Sequence, residues 1–362
     1  YRAKMCLIAP LTFATLMNAK HCLCFLLLLL CSPHNAAAEN VRLRVGVVVP
    51  LSGPVAEYGT AIRNGLELAQ TDNEQLRKQI EFVFEDHYYD NKAAISAINK
   101  LAAANDVDLV YLWGYGMCQA AIPAAEAQRL PTVAVTAEDG INTGRKYVLR
   151  FSYRAKQLAE AILAYLRSRQ IRQIGLVQTD IAFIKAISDG IIAGIRQDEA
   201  AELVDSFVIG EGDFRSTINK LKGRSFAILG VLLAPGQVSE FFKQADALRY
   251  KVPAFGASPF ESSSEIARAN GLMENAVFPG LDISDDFAQR YIVLHGQDNQ
   301  LGWAANAYDF GLILARVAEN LREQKTRGIA LLEQFRKIEY FDGAEGRIRF
   351  KADPKYGDGF EF

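Results

Sequence analysis

Short apolar runs alternate with amphipathic stretches along most of the chain. In the first part, the pattern predicts strands at residues 41–49, 80–85, 107–113 and 131–136, and helices at 59–76, 91–104 and 118–128. These apolar runs are rich in β-branched residues and lack polar alternation, which is typical of parallel strands covered on both faces. The pattern therefore predicts a parallel sheet with helices packed on both sides.

The same alternation restarts after residue 157 and predicts a second unit. Its helices are expected at residues 157–169, 182–196, 214–222 and 237–248, and its strands at 173–178, 203–209, 226–233 and 252–255. Helices at 286–295, 303–320 and 329–338 follow, and then a hairpin at 340–350 with Gly343 and Gly346 in the turn. Because no low-complexity linker separates the units, we predict an α/β fold of two lobes joined by several chain crossings.

The N-terminal segment differs in composition from the rest of the chain. From Met17, a short basic start leads to an apolar run at residues 22–31 and then to alanines at 36–38. This order is typical of a secretory signal peptide cleaved after Ala38, and the run is too short to span a bilayer. We therefore expect residues 1–38 to be upstream sequence and signal peptide, and the mature chain to be exported to a periplasm.

The cysteine content and the charge narrow the class of protein. Four of the five cysteines lie in the predicted leader, so Cys118 alone remains and an internal disulfide is excluded. A mature chain of about 320 residues is expected to contain two domains. A formal net charge of −2 with 23% charged residues argues against a nucleic-acid-binding protein, which would present a basic face.

The carboxyl ends of the predicted strands indicate where a ligand binds. In open parallel sheets, ligands lie outside these ends, where helix N-termini also point. The residues at such positions are Tyr58, Tyr115, Cys118, Gln119, Thr136, Ala137 and Glu138 in the first unit, and Phe183, Leu232, Leu233, Ser258 and Phe260 in the second. We expect these residues to form a ligand site between the lobes.

Cys118, near the start of a predicted helix, is also a candidate nucleophile. Such a cysteine needs a base within hydrogen-bond reach, and outside the leader the sequence offers His87 and His295. His87 follows the second strand and can lie on the same side of the sheet, whereas His295 ends a helix. One cysteine and two histidines give no metal-ligand spacing, and the Gly-x-Gly at 114–116 lacks the Rossmann and P-loop patterns. We expect no enzyme activity, metal or cofactor, with a cysteine hydrolase as the alternative.

Several segments carry a family resemblance. The opening VRLRVGVVVPLSGPVAEYGTAIRNGLELA resembles that of type I periplasmic solute-binding proteins of ABC importers, in the group that binds leucine, isoleucine and valine. The segments EDHYYDNKAAISAINKL, YVLRFSY, WAANAYDFGLILARVAEN and FDGAEGRIRF show the same resemblance. The likeness covers essentially the whole mature chain.

This resemblance implies an architecture and a set of partners. It implies two Rossmann-like lobes joined by a three-crossing hinge, with the ligand trapped in the cleft between them. Lobe one would comprise residues 41–153 and 279–337, and lobe two residues 154–278 and 338–362. The implied protein is a periplasmic monomer that delivers a small molecule to an ABC permease and ATPase complex in the inner membrane. A receptor for a membrane sensor is the alternative.

Several positions depart from the pattern of the family that the chain resembles. Cys118 stands at the usual serine position, and residues 136–138 stand at the usual Ala/Ser-Ala-Thr segment. Phe183 and the pair 232–233 stand where tyrosines are common. Ser258 stands where amino-acid binders carry an acid for the α-ammonium group.

These departures change the predicted ligand. A thiol donates a weaker hydrogen bond than a hydroxyl, so a carboxylate beside Cys118 would rely on backbone N–H groups and the helix N-terminus. Without an acid at Ser258, an α-ammonium would be a costly unpaired buried charge. The hydroxyl-poor residues of lobe two, with Tyr58, Tyr115 and Trp113 nearby, favour a ligand with a sizeable hydrophobic or aromatic portion and one polar end. The alternative is a branched-chain amino acid, urea or amide, with Glu138 as the replacing acid.

Overall fold

The computed structural model describes residues 4–7, 43–104, 107–296, 300–320, 328–353, 355 and 357–362. The predicted signal peptide, from Met17 to its cleavage position, lies outside these residues. None of the helices that the structure describes is both long and apolar enough to cross a membrane.

The first elements alternate strands and helices as the apolar runs predict. In chain order they are β1 (Lys4–Leu7), β2 (Leu43–Val49), α1 (Ala56–Asp72), α2 (Glu74–Gln79), β3 (Ile80–Asp86), α3 (Asn91–Ala103), β4 (Leu109–Trp113), α4 (Tyr115–Ala127), β5 (Thr132–Val135) and β6 (Val148–Phe151). The predicted helix 59–76 is in fact two helices, because Asn73 is extended and its side chain accepts a hydrogen bond from the Leu76 N–H at 2.9 Å. That bond caps the second helix.

The remaining elements continue the alternation. The next group is α5 (Ala155–Ser168), β7 (Gln173–Thr179), α6 (Ala182–Ala193), β8 (Ala200–Phe207), α7 (Arg215–Lys222), β9 (Ile228–Leu232), α8 (Gln237–Ala247), β10 (Ala254–Phe255), a 3-10 helix (Ser258–Glu261), α9 (Ser263–Ala269) and β11 (Val277–Gly280). The last group is α10 (Asp285–His295), α11 (Leu301–Asn320), α12 (Ile329–Arg336), β12 (Tyr340–Gly343), β13 (Gly346–Lys351) and β14 (Gly359–Glu361). The sequence prediction lacks β1, β6, α9, β11, β14 and the 3-10 helix, which are all short.

The strands form two sheets. One has eight strands in the order β12-β13-β14-β6-β5-β4-β2-β3, and the other has six in the order β1-β11-β10-β9-β7-β8. Pairing is parallel from β2 to β6 and from β7 to β11. We call the eight-stranded sheet with its helices lobe one and the six-stranded sheet with its helices lobe two. From β2 onwards, the chain enters lobe two between β6 and α5 and leaves it between β11 and α10, so it crosses twice where three crossings are expected. The predicted two-lobed α/β fold is confirmed.

The C-terminal hairpin lies in lobe one, whereas the sequence analysis places residues 338–362 in lobe two. Strand β14 runs parallel to β6 and pairs Gly359 with Arg150 and Phe360 with Phe151. The buried ring of Phe360 also packs edge-on against Phe151, with the ring centroids 5.3 Å apart. Backbone pairing and aromatic packing therefore attach these strands to the first sheet.

Two further boundaries differ from the expectation. Lys4–Leu7 pairs antiparallel with β11 at the edge of lobe two, although residues 1–38 are expected to precede the folded body. Strand β11 pairs within lobe two over its length, so lobe one resumes after Gly280 and not at residue 279.

Candidate functional site

A cavity lies between the two lobes at the carboxyl ends of their parallel strands, where open α/β sheets bind ligands. It contains about 580 Å³ of empty space, counting the part that is open to solvent. Lobe one contributes residues from α1, α11 and the ends of β3, β4, β5 and β6. Lobe two contributes residues that follow β7, β9 and β10. The lining comprises Val55, Tyr58, Tyr89, Trp113, Gly114, Tyr115, Val135, Thr136, Ala137, Tyr153, Ile181, Phe183, Ile184, Ala234, Pro235, Ser258, Pro259 and Trp303.

Trp113, the last residue of β4, is the centre of an aromatic wall in lobe one. Between ring centroids, it lies 5.2 Å from Tyr58, 6.2 Å from Tyr89 and 5.4 Å from Trp303. Trp303 stands edge-on to Trp113 and lies 5.6 Å from the ring of Tyr153. Rings at these separations attract one another and bury large apolar areas. These five side chains, which we call the aromatic wall, give the cavity a preassembled apolar surface.

A buried histidine holds the strand end that carries Trp113. The Nδ1 atom of His87 accepts a hydrogen bond from the Tyr89 N–H at 3.0 Å, so Nε2–H donates to the Trp113 carbonyl at 3.1 Å. Burial lowers the pKa of His87 from 6.5 to about 4, although the bond to Trp113 and the nearby Asp86 act in the opposite direction. The imidazole is therefore neutral near pH 7, in the tautomer that satisfies both contacts.

The turn after β3 directs Tyr89 into the cavity. Tyr88 and Tyr89 both have left-handed backbone conformations, with φ of 52° and 59°. The Asp86 carboxylate accepts hydrogen bonds from the Tyr88 N–H at 2.8 Å and from the Leu51 N–H at 2.9 Å, which tie this turn to the loop before α1. Burial acts to raise the pKa of Asp86, but these hydrogen bonds hold it below its ordinary value. The ionised carboxylate therefore stabilises an unfavourable turn conformation.

Gly114 allows α4 to begin directly beside Trp113. Its φ is 113°, which L side chains rarely adopt, and a Cβ atom there would lie 2.4 Å from Met117 Cε. No side chain caps the N-terminus of α4. The first backbone N–H groups of a helix have no intrahelical partner, and the helix dipole adds partial positive charge. This end of the cavity can therefore hold the acceptor atoms of a ligand.

The lobe-two side of the cavity is mostly aliphatic. It consists of Ile181, Phe183, Ile184, Ala234, Pro235, Ser258 and Pro259. Phe183 supplies the aromatic ring of this side among the described residues. The start of α6, which carries Phe183, also has no side-chain cap. Lobe two therefore adds apolar surface and a second uncapped helix start.

Two side-chain contacts between the lobes lie beside the cavity, one between α4 and α6 and one between α1 and the start of α9. The ring centroids of Tyr115 in α4 and Phe183 in α6 lie 5.9 Å apart. The hydroxyl of Ser262, which caps α9, donates a hydrogen bond to the Glu57 carboxylate of α1 at 2.5 Å. The two lobes are therefore in contact beside the cavity in this structure.

The structure brings half of the predicted site residues to the cavity. Those that line it are Tyr58, Tyr115, Thr136, Ala137, Phe183 and Ser258. The predicted residues outside the lining are Cys118, Gln119, Glu138, Leu232, Leu233 and Phe260. The residues of the first group lie at the surface of the cavity, whereas those of the second group lie behind or beside its lining.

Cys118 lies in the core of lobe one and not in the cavity. Helix α4 begins at Tyr115, three residues before its predicted start, so Cys118 is one turn into the helix. The side chain is fully buried and its thiol donates to the Leu112 carbonyl at 3.3 Å. Burial, with a smaller effect of Glu138, raises the pKa of the thiol well above its ordinary value. Since Cys118 and His87 are each bonded to backbone groups, the described residues contain no Cys–His pair that could activate a nucleophile.

The other predicted residues outside the lining lie behind or beside it. Gln119 Nε2 donates to Glu138 Oε1 at 3.0 Å, and partial burial raises the pKa of Glu138. Leu232 and Leu233 are buried in two different cores, and Phe260 is buried in the core of lobe two. These side chains support the walls of the cavity without forming its surface.

Four aromatic residues of the lining are missing from the predicted set of site residues, although Trp113 is expected near the ligand. Trp113 and Tyr89 end or follow predicted strands, so the strand-end rule could have identified them. Tyr153 lies at the passage from β6 to α5, and Trp303 lies in the first turn of α11. No strand end precedes Trp303, so the sequence carries no signal that would place it in the cavity.

The lining is uncharged. None of the described residues that line the cavity is Asp, Glu, Lys, Arg or His. Elsewhere in the described part of the chain, no three or more His, Cys, Asp or Glu side chains are grouped so that they could hold a metal ion. The arrangement is therefore suited to enclosing a small molecule by apolar contact and a few hydrogen bonds.

Comparison with solved structures identifies the fold. LivJ, the branched-chain amino acid transporter substrate-binding protein of Streptococcus pneumoniae solved with isoleucine, is 22% identical and superposes with a TM-score of 0.76, covering 86% of this chain and 92% of its own. A solute-binding protein of an R. palustris ABC transporter, solved with benzoate, is 19% identical with a TM-score of 0.74, covering 87% and 90%. At these identities, the likeness shows the fold alone.

Sequence comparison identifies the family. Over 205 residues, the chain is 24% identical to the Leu/Ile/Val-binding protein BraC3 of Rhizobium johnstonii, which covers 54% of this chain and 55% of that protein. Over 201 residues, it is 26% identical to Leu/Ile/Val-binding protein homolog 3 of Brucella melitensis, covering 52% and 53%. The chain thus spans about half the length of the curated relatives it matches. Residues 42–357 match the profile of a family described as periplasmic binding protein, and the chain belongs to that family.

Proposed function

We propose that this protein is the periplasmic substrate-binding component of an ABC-type importer. It captures a small organic ligand that has a sizeable hydrophobic or aromatic portion and one polar end. The aromatic wall is the observation that carries this proposal, because it supplies much of the surface of an uncharged cavity. Such a wall binds by removing apolar ligand area from water.

Lobe closure is the proposed mechanism of capture. The ligand shifts the protein towards the closed state when it binds that state more tightly than the open one. The contacts between Tyr115 and Phe183 and between Glu57 and Ser262 each join one lobe to the other. They form when the lobes meet, so they add to the stability of the closed state.

Proteins of this fold bind ligands of different chemistry. One R. palustris protein was solved with benzoate, a Rhodopseudomonas palustris BisB5 protein with 3,4-dihydroxybenzoic acid, and LivJ with isoleucine. The residues that line this chain's own cavity indicate which of these classes of ligand it fits. Seven aromatic residues and no charged residue among its described members favour an aromatic or similarly apolar ligand.

A branched-chain amino acid is the second candidate, because both curated relatives are named Leu/Ile/Val-binding proteins. On this alternative, as for urea or an amide, Glu138 would be the polar partner that replaces the missing acid. Glu138 lies outside the lining, and one of its two carboxylate oxygens is bonded to Gln119. We therefore favour the apolar ligand. No observation favours the cysteine hydrolase.

The partners follow from the proposed role. Membership of the family places the protein in the periplasm or outside the cell. We further propose export by the signal peptide that ends at Ala38, action as a monomer, and delivery of the ligand to a permease and ATPase complex in the inner membrane.

Mass spectrometry of small molecules released from the protein tests this function. The protein is purified from the periplasm, denatured, and compared with a Trp303→Ala variant prepared in parallel. We expect one organic molecule with an apolar portion, in near-stoichiometric amount, released from the unaltered protein and depleted from the variant. Equal amounts of every small molecule in both preparations would contradict capture in this cavity.

A further inference from the structure

Several hydrogen-bond donors around the cavity are available to a ligand. Trp113 is 6% exposed, and its indole Nε1–H is buried with no acceptor among the described residues. Thr136 Oγ1 accepts a hydrogen bond from the Glu138 N–H at 3.3 Å, which leaves its O–H to donate. The uncapped starts of α4 and α6 add backbone N–H groups. A buried donor without a partner is costly, so a ligand that supplies an acceptor here gains affinity.

Several backbone carbonyls of the lining already accept a hydrogen bond. Each of these bonds is 2.9–3.1 Å long. They run from His87 to Trp113, from Gly114 to Val135, from Ala155 to Ala137, from Lys185 to Ile181 and from Gln237 to Ala234. The lining holds no carboxylate, and its remaining acceptors are neutral carbonyl and hydroxyl oxygens.

Two carboxylates near the cavity lie outside its lining. Glu138 accepts from Gln119 through Oε1, whereas its Oε2 is buried without a hydrogen-bond partner among the described residues, and Glu57 accepts from Ser262. A ligand ammonium group in the closed cavity would meet no carboxylate among the described lining residues. Burying an ammonium group without a counter-charge is strongly unfavourable, whereas a carboxylate can face the partial positive charge of an uncapped helix start.

We infer that the polar end of the ligand is a carboxylate with no ammonium group beside it, and that the Trp113 indole N–H donates a hydrogen bond to that carboxylate. This inference rests on the proposed function, because it assigns the ligand of the same cavity. His87 acts as a positioning residue, since it holds the Trp113 carbonyl and with it the strand end that presents the indole.

Two matched pairs of probes test the inference by calorimetry on protein freed of ligand. L-Phenylalanine is compared with 3-phenylpropanoate, and L-leucine with 4-methylpentanoate, so that each pair differs by one ammonium group. We expect the acid of each pair to bind at least about tenfold more tightly than the amino acid, because the ammonium has no partner. Benzamide compared with benzoate separates a neutral acceptor from a carboxylate, and benzoate is expected to bind more tightly.

The two tryptophans of the chain provide a direct readout of the donor. In ¹⁵N-labelled protein, they give two indole N–H resonances, which the Trp113→Phe variant assigns. We expect 3-phenylpropanoate to move the Trp113 resonance downfield, and Trp113→Phe to weaken its binding by about ten- to one-hundredfold. Trp303→Phe is the matched control. We expect it to weaken the binding of the acid and of the amino acid of each pair to the same extent. The resonance of the unaltered protein keeps the test valid if Trp113→Phe folds poorly.

The outcomes separate this inference from the proposed function. Tighter binding of the acids with a shifted Trp113 resonance supports the inference. Tighter binding of phenylalanine or leucine overturns the inference but leaves the proposed binding function intact. Tight binding of the acids, with no effect of Trp113→Phe and no shift of the Trp113 resonance, has the same consequence. Failure of every probe overturns the inference, and overturns the function as well if the purified protein also releases no small molecule.

Discussion

The two sides of the cavity are built in different ways. In lobe one, five aromatic rings contact one another, and the hydrogen bonds of His87 and Asp86 fix the strand end and the turn that carry Trp113 and Tyr89. In lobe two, aliphatic side chains and Phe183 line the opposite side. Lobe one thus presents a preassembled surface, whereas lobe two presents a simpler cover. The difference indicates that lobe one selects the ligand and lobe two retains it.

Truncating the aromatic wall is expected to have the largest effect. Trp303→Ala removes a ring that packs edge-on against Trp113 and lines the cavity. We expect a loss of about 4 kcal/mol, or about a thousandfold in affinity, because a large apolar contact is replaced by a void. Calorimetry with 3-phenylpropanoate measures it, with circular dichroism to verify folding. A loss below tenfold would mean that lobe one is not the selecting side.

Acid is expected to destabilise lobe one through His87. The folded-state pKa of this histidine is lowered to about 4 by burial, whereas its ordinary value is 6.5. The unfolded chain therefore binds the proton more readily, and stability is lost as the pH falls from about 6.5 to about 4, by up to about 3 kcal/mol. Urea unfolding at pH 7 and pH 4.5 measures the loss. His87→Gln should lose less stability over this interval; an equal loss would show that other groups cause it.

Truncating the cover is expected to have a smaller effect that acts on release. Phe183→Ala removes the ring that meets Tyr115 across the lobes. We expect binding to weaken by about tenfold, mainly through faster dissociation, because this contact forms on closure. Stopped-flow tryptophan fluorescence separates the two rates, and Phe183→Leu is the conservative control. A change confined to the association rate would contradict the assignment of lobe two as the cover.

The hydrogen bond between the lobes is expected to contribute least. Glu57→Ala removes the acceptor of the Ser262 hydroxyl, and we expect an affinity loss of about threefold. Glu67, which is exposed on the same helix, gives the matched control Glu67→Ala with unchanged affinity. If both variants bind equally well, the contact does not stabilise the closed state.

Much of the fold could be predicted from the sequence because its apolar runs are local signals. The buried strands β4 and β9 appear as continuous apolar runs, and the helices between them appear as amphipathic stretches. The placement of the C-terminal hairpin could not be predicted in this way. It depends on the pairing of Phe360 with Phe151, which are more than two hundred residues apart in the sequence.

Half of the predicted site residues line the cavity, and the division again follows the difference between local and long-range signals. The strand-end rule brings Tyr58, Thr136 and Ser258 to the cavity, because the position of a strand end follows from a local pattern. An error of three residues in the start of α4 was enough to move Cys118 from the surface of the cavity to the core. Trp303 reaches the cavity through the packing of α11 on α1, which no local pattern reveals.

Small-angle X-ray scattering tests the central claim that the lobes close over a ligand. The protein is stripped of bound molecules by unfolding and refolding, and its radius of gyration is measured before and after adding back the molecule that it released. We predict a smaller radius with the ligand than without it, and no such change for Trp303→Ala at the same concentration. An identical radius in both states, with the ligand shown to be bound, would contradict capture by lobe closure.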